Sequence, residues 1–259
     1  MKESEEIYYE GNKSLIDKNL YYHLGIVGSR NILGSTKIIL ESLFEELSSI
    51  DNLVILSGGM YGVDIFVHNL CLKYNIGTIF FLPSGNKYFK KSSLFRLLNL
   101  KSTSNFLFVS RYDEYFSPRK YTFLERNKQL IEFSECNLIA QSALNSGSYF
   151  SGNYSLSINK RTFSIPFSPL DTQFIGNNLL ISKGAGIYLS SSDFIEKLGI
   201  IKKSDLTIET IISFLPNSQK NLENKFSNVI PHEIEKILLK GILEGKIFFE
   251  EGVFIKNDK

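Results

Sequence analysis

The sequence predicts an α/β fold in which an open, mostly parallel sheet carries helices on both faces, followed by a small C-terminal domain. Continuous apolar strands alternate with amphipathic helices from residue 24 to about residue 166. Turns rich in glycine and serine follow several of these strands. After about residue 204 the pattern changes to short helices and a hairpin. Strands that are apolar throughout are typical of a parallel sheet covered on both faces, so the expected architecture is Rossmann-like.

Six short apolar runs predict the strands of this sheet, at residues 24–27, 53–56, 78–82, 106–109, 137–140 and 162–165. A helical period predicts helices between them, at residues 36–47, 63–74, 123–133 and 151–159. Right-handed crossovers bring the carboxyl ends of parallel strands to the same edge of a sheet. All of the loops that follow strands are therefore expected at one edge.

The last part of the chain predicts a winged-helix-like domain. Three short helices, at residues 208–215, 222–229 and 231–241, precede a hairpin made by residues 247–249 and 253–255. The expected organisation is a short N-terminal extension at 1–22, a Rossmann-like domain at 23–198, a linker at 199–204 and the winged-helix-like domain at 205–259. Glutamates interrupt the lysines of this last domain, which favours binding to a protein, or packing on the neighbouring domain, over binding to DNA.

Composition excludes several classes of protein. The chain has 29 Lys and Arg against 27 Asp and Glu, a formal charge of +2, which argues against a strongly basic DNA-coating protein. No apolar run approaches the roughly 20 residues of a membrane-spanning helix, and the first ten residues are too charged for a signal peptide. Cys71 and Cys136 are not in a metal-binding spacing. We expect a cytoplasmic protein with no metal and no membrane contact.

Three loops at predicted strand ends combine glycine with serine: Gly28-Ser29-Arg30, Ser57-Gly58-Gly59 and Ser146-Gly147-Ser148. Glycine lets a ligand approach the backbone closely, and a helix N-terminus after such a loop favours an anion. Turn sterics alone explain one loop of this kind. Three of them at one sheet edge, with Arg30 beside the first, predict a phosphate-lined site.

The phosphate ligand is not expected to be a nucleotide cofactor. The dinucleotide fingerprint requires G-x-G-x-x-G after the first strand and an acidic residue at the end of the second, and both are missing. The spacing from Gly28 to Gly34 does not fit a P-loop, and the P-loop lysine is absent. The sequence thus disfavours NAD and ATP.

Asp64 and His68 lie four residues apart and are expected on one helix face behind Ser57. A catalytic triad can be drawn from these three side chains. However, the G-x-S-x-G elbow is missing, and an Asp–His pair at this spacing commonly has a local structural role. We therefore expect Asp64 and His68 to cap the helix and order the loop, and we expect no catalytic residue.

Cations interleaved with aromatic residues occur around the predicted fourth strand and the helix after it. The cations Arg111, Arg119 and Lys120 alternate with the aromatic residues Tyr112, Tyr115 and Phe116, and Arg126-Asn127-Lys128 follows. Such a pattern suits single-stranded nucleic acid, whose phosphates need cations and whose bases stack on rings. A solvated charged helix above ordinary core aromatics explains the same pattern equally well.

Read in order, these motifs resemble the DNA processing protein A family (DprA/Smf). The motifs are Val27-Gly28-Ser29-Arg30, the octapeptide SGGMYGVD that starts at Ser57, His68, F-x-x-R-N-K from Phe123, Ser146-Gly147-Ser148 and GNNLLISKGA from Gly176. The resemblance implies a non-enzymatic, homodimeric protein that binds single-stranded DNA and delivers it to the RecA recombinase in recombination and DNA uptake.

The resemblance also implies which residues contact the strand. It assigns phosphate contacts to Gly28, Ser29 and Arg30, the same pocket to Ser57, Gly58 and Gly59, and a basic rim to Arg126, Asn127 and Lys128, with Ser146 and Gly147 as structural neighbours. The chain departs from the family pattern at Arg111, Gln141, Gly152 and Phe167. The alternative is a nucleotide-binding or nucleotide-cleaving Rossmann-like protein, of the lysine-decarboxylase-like or sensor type.

Overall fold

The structure is a computed structural model that describes residues 6–98, 100, 104–200, 208–225 and 231–257. Eight strands form one sheet in the order β1-β5-β4-β3-β2-β6-β7-β8. Strands β2 to β8 are mutually parallel, and β1 pairs antiparallel with β5. The strands are β1 Tyr8–Gly11, β2 Tyr22–Gly28, β3 Leu53–Ser57, β4 Gly77–Phe81, β5 Phe106–Ser110, β6 Cys136–Gln141, β7 Arg161–Ser164 and β8 Gly186–Ile187.

Helices cover both faces of the sheet. They are α1 Gly34–Leu47, α2 Val63–Tyr74, α3 Asn86–Lys90, α4 Ser93–Arg96, α5 Lys120–Phe133, α6 Gly147–Ser157, α7 Ile175–Ser182 and α8 Ser191–Leu198. One buried cluster joins α1, α2 and α8 to the sheet, and a second joins α5, α6 and α7 to its other face. The predicted Rossmann-like α/β sheet is thereby confirmed, and each predicted strand lies within two residues of an observed one.

The apolar composition of the strands follows from this double coverage. All five residues of β3 are buried, as are all five of β4, because helices exclude water from both sides of them. In such strands both alternating sets of side chains enter a core, so the sequence shows no polar alternation. This is why continuous apolar runs marked the strands.

The N-terminal segment is part of the sheet, whereas the sequence pattern indicated a short extension at 1–22. Residues 8–11 form the antiparallel edge strand β1 beside β5. A 3-10 turn then places Leu15 in the core, and the Nε2 of His23 donates to the carbonyl of Leu15 (2.7 Å). Gly11, at φ +116°, passes so close to Phe106 that an added Cβ would lie 2.4 Å from its carbonyl oxygen. Strand β8 and helix α8 were likewise not predicted.

The C-terminal part contains the expected helices and hairpin. They are α9 Ile208–Ile212, α10 Gln219–Lys225, α11 Pro231–Leu243, β9 Ile247–Glu250 and β10 Val253–Lys256. Ile211, Leu222, Ile234, Leu238 and Ile247 are buried together in a core of their own. The winged-helix assignment and the domain boundaries stay predictions. Residues 226–229 of the predicted second helix and 201–204 of the predicted linker lie outside the described residues.

In the described ranges, no helix combines the length and apolarity that crossing a bilayer requires.

The strand order places a crevice at the centre of the sheet. Strand β2 has β3 on one side and β6 on the other. The chain therefore adds strands β3 to β5 on one side of β2 and strands β6 to β8 on the other, so the strand order reverses next to β2. Open α/β sheets bind ligands at such a reversal, beyond the carboxyl ends of the strands. The loops after β2 and β6 meet there.

Candidate nucleic-acid interface

A cavity of about 330 Å³ opens at this reversal. It is lined by Val27, Gly28, Ser29, Arg30, Met60, Tyr61, Asp64, Phe123, Leu124, Arg126, Asn127, Ser146, Gly147 and Ser148. The fold therefore brings the first and third glycine-serine loops together with the F-x-x-R-N-K helix, as the sequence predicted.

The loop after β2 is held in place by the loop after β3. Gly28 has no room for a side chain, because an added Cβ would lie 2.4 Å from the side chain of Val63. The Val63 amide donates to the carbonyl of Ser29 (3.0 Å). Gly62, at φ +84°, packs against the same carbonyl, 2.2 Å from where its Cβ would be. These glycines let two loops interlock beside the cavity.

Arg30 presents its guanidinium to solvent at the cavity mouth. Its side chain lies over the ring of Phe123, 5.4 Å from the ring centroid. Among the described residues no carboxylate forms an ion pair with Arg30, and no acceptor receives a hydrogen bond from its side chain. The planar fork of five donors is available to a phosphate, whose geometry it matches.

The third glycine-serine loop leads directly into a helix. Ser146 caps α6 by accepting from the Tyr149 amide (3.2 Å), and α6 begins at Gly147. The N-terminus of α6 thus points positive partial charge at the cavity. The expectation that each glycine-serine loop would do this is wrong for the first two, because residues 31–33 and 60–62 separate them from α1 and α2.

Arg126 lies at the cavity floor and not at a basic rim. Thr122, Arg126 and Leu130 recur every four residues, so they share the face of α5 that packs on the sheet. The Arg126 Nη1 donates to the carbonyl of Phe81 (3.0 Å) and lies 3.7 Å from the Asp64 carboxylate. Burial lowers the pKa of Arg126, although Asp64 opposes this. An arginine remains charged under these conditions.

The second glycine-serine loop lies beneath the cavity rather than in its lining. Ser57 is fully buried, and its hydroxyl donates to the carbonyl of Ile26 (2.7 Å). A Cβ added to Gly58 would lie 1.7 Å from the Arg126 Nη1, so Gly58 provides the space that the guanidinium occupies. Gly59, at φ +72°, turns the chain toward Met60. Met60 and Tyr61 line the cavity in place of the predicted triplet.

Asn127 and Lys128 point away from the cavity floor. Asn127 lines the cavity, and its Nδ2 donates to Ser151 (3.0 Å). Lys128 lies 5.4 Å from the ring centroid of Tyr154. It borders a second, largely apolar cavity of about 460 Å³, which shares Leu124, Asn127 and Gly147 with the first.

Exposed apolar side chains at these cavities were not predicted. Leu124 and Phe150 line the apolar cavity and remain about half exposed. Tyr61 lines the first cavity, and its hydroxyl pairs with Ser93 (2.7 Å). The signal available in the sequence was that Leu124 and Phe150 directly follow Phe123 and Tyr149. Adjacent residues of a helix point in different directions, so both members of such a pair cannot face the same core.

Asp64 orders the loop above it, but it does not cap α2 as the sequence suggested, because the N-cap is Gly62 and no side chain caps it. Its carboxylate accepts from the Met60 amide (3.3 Å) and faces Arg126. Burial raises the pKa of Asp64, and the charge of Arg126 opposes this increase. When Asp64 is ionised, it balances the buried charge of Arg126, and the net positive potential of the cavity then comes from Arg30 and the α6 N-terminus.

His68 has a structural position. Its ring stacks on Phe80 with centroids 3.5 Å apart, and its Nδ1 donates to Thr78 (2.8 Å), since the Thr78 hydroxyl donates to Ile55. Burial, together with Arg126, lowers the pKa of His68 well below its usual value, so the ring is neutral. The described residues contain no group of three or more His, Cys, Asp or Glu that could hold a metal ion.

Two of the departures from the family pattern have clear structural roles. Gln141 accepts from the Leu33 amide and the Thr36 hydroxyl (both 2.9 Å) and donates to the Asn31 carbonyl (2.7 Å). It therefore ties the β2 loop to β6. Gly152 lets α7 approach α6, because an added Cβ would lie 2.5 Å from Leu180.

Of the other two departures, Phe167 is held by hydrogen bonds and Arg111 is exposed. The Phe167 amide donates to the Asn178 Oδ1 (3.0 Å), and the Asn178 Nδ2 donates to the Phe167 carbonyl (2.8 Å). Arg111 lies exposed in the loop after β5.

The chain is similar to known DNA processing proteins. Residues 2–199 match the family described as DNA recombination-mediator protein A. The DprA proteins of Bacillus subtilis (strain 168) and Streptococcus pneumoniae (strain ATCC BAA-255 / R6) are both 27% identical to it, over 192 and 188 residues. These matches cover 74% and 72% of this chain, and 63% and 64% of the relatives.

Two solved structures share the fold. The DprA structure from S. pneumoniae superposes with a TM-score of 0.67 at 26% identity, covering 74% of this chain and 65% of that one. A Helicobacter pylori DNA processing protein A, described for its single-stranded DNA binding mode, gives a TM-score of 0.66 at 28% identity, covering 75% and 86%. The family match spans more than half of the sequence and includes every residue around the cavity. The chain belongs to the DNA recombination-mediator protein A family.

Proposed function

We propose that this chain binds single-stranded DNA at the cavity between β2 and β6. A strand phosphate would contact the guanidinium of Arg30, the loop at Gly28 and Ser29, and the N-terminus of α6 at Gly147. The observation that carries the proposal is that Arg30, which has no ion-pair partner among the described residues, lines the same cavity as that helix N-terminus. Both features attract an anion and require no base sequence.

The adjoining apolar cavity explains why the strand would be single. Its lining includes Leu124, Phe150 and Tyr154, and it begins where the first cavity ends, at Asn127 and Gly147. An unpaired base next to the bound phosphate can stack on such side chains. A base inside a duplex is held in its own stack and cannot enter. Lys128, at the border of this cavity, is positioned for the following phosphate.

The contacts below the cavity favour binding without hydrolysis. The hydroxyl proton of Ser57 is engaged by Ile26, His68 is neutral and buried, and Asp64 is paired with Arg126. None of these three side chains is placed as a nucleophile, base or acid toward a bound phosphate. We therefore propose a binding protein, not an enzyme.

Membership of the family supports a wider role. We propose that a homodimer of the chain protects single strands in the cytoplasm and delivers them to a RecA-type recombinase during recombination and DNA uptake. Light scattering on the purified chain tests the dimer. Stimulation of recombinase ATPase activity on coated strands tests the delivery, and Arg30→Ala should remove that stimulation.

Fluorescence anisotropy tests the binding site. Wild type, Arg30→Ala and the control Lys73→Ala, which removes an exposed cation from the far end of α2, are titrated against poly-dT and its duplex over a salt series. Arg30→Ala should weaken single-strand binding about equally for all sequences and reduce the slope of log K against log salt by about one. An unchanged slope, or equal binding to the duplex, would refute the proposed site.

The same protein distinguishes the nucleotide alternative. A cavity of about 330 Å³ is within the size range of small-ligand sites. Mononucleotides that raise the melting temperature, in a protein that does not bind poly-dT, would favour a nucleotide sensor. Release of free base from a nucleoside monophosphate would favour a cleaving enzyme.

A further inference from the structure

The positive charge of the chain is concentrated in two segments outside the cavity. Residues 85–91 and 111–120 contain six Lys or Arg and two Asp or Glu, a net charge of +4 in a chain whose total is +2. Because these residues follow strands β4 and β5, they lie at the same carboxyl edge of the sheet as the cavity. A local field of this sign attracts a polyanion even when the whole protein is nearly neutral.

The three aromatic residues in the loop after β5 have different environments. Tyr112 is buried, stacks on Phe116 with centroids 4.7 Å apart and donates its hydroxyl to Glu125 (2.7 Å). These two rings hold the loop together. Tyr115 is 60% exposed and makes no ring–ring contact among the described residues. The cation-aromatic pattern in the sequence therefore has one member that is available to a base.

Two lysines that follow β4 lie beside this exposed tyrosine, Lys87 in helix α3 and Lys91 at its C-cap. The Nζ atoms of Lys87 and Lys91 lie 5.3 and 5.1 Å from the Tyr115 ring centroid. Lys87 also pairs with Glu114 (2.5 Å). Tyr115 as a whole is 60% exposed, so the two lysines leave much of the side chain open to solvent. We refer to Tyr115, Lys87 and Lys91 as the Tyr115 cluster.

The backbone fixes the Tyr115 cluster in advance. The amide of Gly85 donates to the carbonyl of Phe116, and the amide of Tyr88 donates to that of Glu114, both at 3.0 Å. Gly85 packs so tightly on this loop that an added Cβ would lie 2.0 Å from the carbonyl of Asp113. The loops after β4 and β5 thus form one unit, and little conformational entropy is lost when the ring binds a ligand.

The edge between the cavity and the Tyr115 cluster is also marked by exposed tyrosines. Strand β5 is three positions from β2 in the sheet, which corresponds to about 14 Å at the usual strand spacing. Tyr61 follows β3 and is 46% exposed, and Tyr88 follows β4 and is 41% exposed. One exposed tyrosine therefore follows each of β3, β4 and β5, and a few nucleotides of single strand span the distance.

We propose that the Tyr115 cluster is a second nucleotide subsite, in which a base stacks on Tyr115 and the flanking phosphates contact Lys87 and Lys91. The proposal rests on the proposed function, since it concerns a strand whose first phosphate is bound at Arg30. It assigns the chain a binding track along the carboxyl edge of the sheet, in addition to the cavity.

Strands of two lengths test this track. A tetranucleotide can fill the cavity alone, whereas a strand of about 12 nucleotides reaches both sites. Tyr115→Ala should weaken binding of the longer strand about 5- to 150-fold, the range for loss of one base–aromatic stack, and leave binding of the tetranucleotide unchanged. Tyr115→Phe, which keeps the ring, should bind like wild type. Tyr74→Ala is the control. Tyr74 also lies beside a lysine (Lys73, 4.8 Å), but it is the last residue of α2 and so lies away from the carboxyl edge of the sheet.

An abasic section in the longer strand identifies the contact. When the abasic section lies at the Tyr115 cluster, Tyr115→Ala and wild type should bind the strand equally well, because there is no base to stack. Lys91→Ala should still reduce the salt dependence there. Equal affinity of Tyr115→Ala and wild type for the intact longer strand, or an equal loss with and without bases, would overturn the subsite. If Arg30→Ala lowers the affinity for the tetranucleotide in that experiment, the cavity proposal is still supported. If wild type binds neither strand, both proposals fail.

Discussion

The guanidinium of Arg126 lies 3.7 Å from the carboxylate of Asp64, and both groups are buried directly below the cavity. The arginine comes from α5 and the aspartate from α2, so this ion pair joins two helices on opposite faces of the sheet through the space above the strand ends. Gly58 leaves the room for it. With both groups ionised, the pair at the cavity floor has no net charge, and the exposed Arg30 guanidinium lies at the mouth of the cavity above it.

The two arginines at the cavity should therefore differ in what they stabilise. Arg126→Ala leaves Asp64 buried without its partner and the Phe81 carbonyl without a donor, which should lower the free energy of unfolding by about 3–5 kcal/mol. Arg30→Ala changes an exposed side chain and should alter it by no more than about 0.5 kcal/mol. Urea denaturation followed by circular dichroism measures both values. Similar losses for the two variants would contradict this division.

Two glycines that lie in similar motifs should differ in their tolerance of alanine. A Cβ on Gly58 would overlap the Arg126 guanidinium, whereas the nearest atom to a Cβ on Gly147 is 3.9 Å away. Gly58→Ala should cost about 1–3 kcal/mol of stability by overpacking. Gly147→Ala, at the first residue of α6, should fold with unchanged stability. Paired thermal melts make the comparison, and a tolerated Gly58→Ala would show that the loop can shift.

The affinity for single strands should increase as the pH falls through the raised pKa of Asp64. Burial raises this pKa, so the folded protein takes up a proton at a higher pH than the unfolded chain does. Above that pKa the charged carboxylate opposes folding and cancels the charge of Arg126; below it, stability rises and the cavity becomes more positive.

Asp64→Asn removes this titration. Its affinity for poly-dT should stay nearly constant over the pH range in which wild-type affinity changes. Anisotropy titrations at a series of pH values, at a temperature where both proteins are folded, give the two profiles. Parallel profiles would assign the pH dependence to another group.

The hydrogen bonds of Gln141 require a side-chain amide, which can both donate and accept. It donates to the Asn31 carbonyl and accepts from Leu33 and Thr36, and a carboxylate cannot make the first of these bonds. Gln141→Glu should lower stability by about 1–3 kcal/mol when ionised. Because burial raises the pKa of a carboxyl, the loss should shrink as the pH falls and the Glu becomes a donor. Urea denaturation near neutral and acidic pH checks this, and an equal loss at both would contradict it.

The sequence alone was sufficient for six of the eight strands described in the sheet, for the meeting of two glycine-serine loops and for the family. The reason is that burial on two faces forces strands such as β3 and β4 to be apolar throughout, and this is a local property that the sequence displays. Parallel connections then place the loops at one edge without any further information. The edge strand β1 escaped prediction because its partner β5 lies nearly one hundred residues away, and nothing within residues 8–11 specifies that pairing.

The tertiary structure decided which of the motif residues reach a ligand. Arg126 and Lys128 are two residues apart in one motif, yet α5 turns the first into the floor and the second toward the apolar cavity. Ser57 and Gly58 have the composition of a phosphate loop, but they lie below the surface because the Arg126–Asp64 pair fills the space above them. Tyr115 is distinguished from Tyr112 only by packing. Side-chain direction depends on which face of an element finds a partner, and that choice is made between segments far apart in the chain.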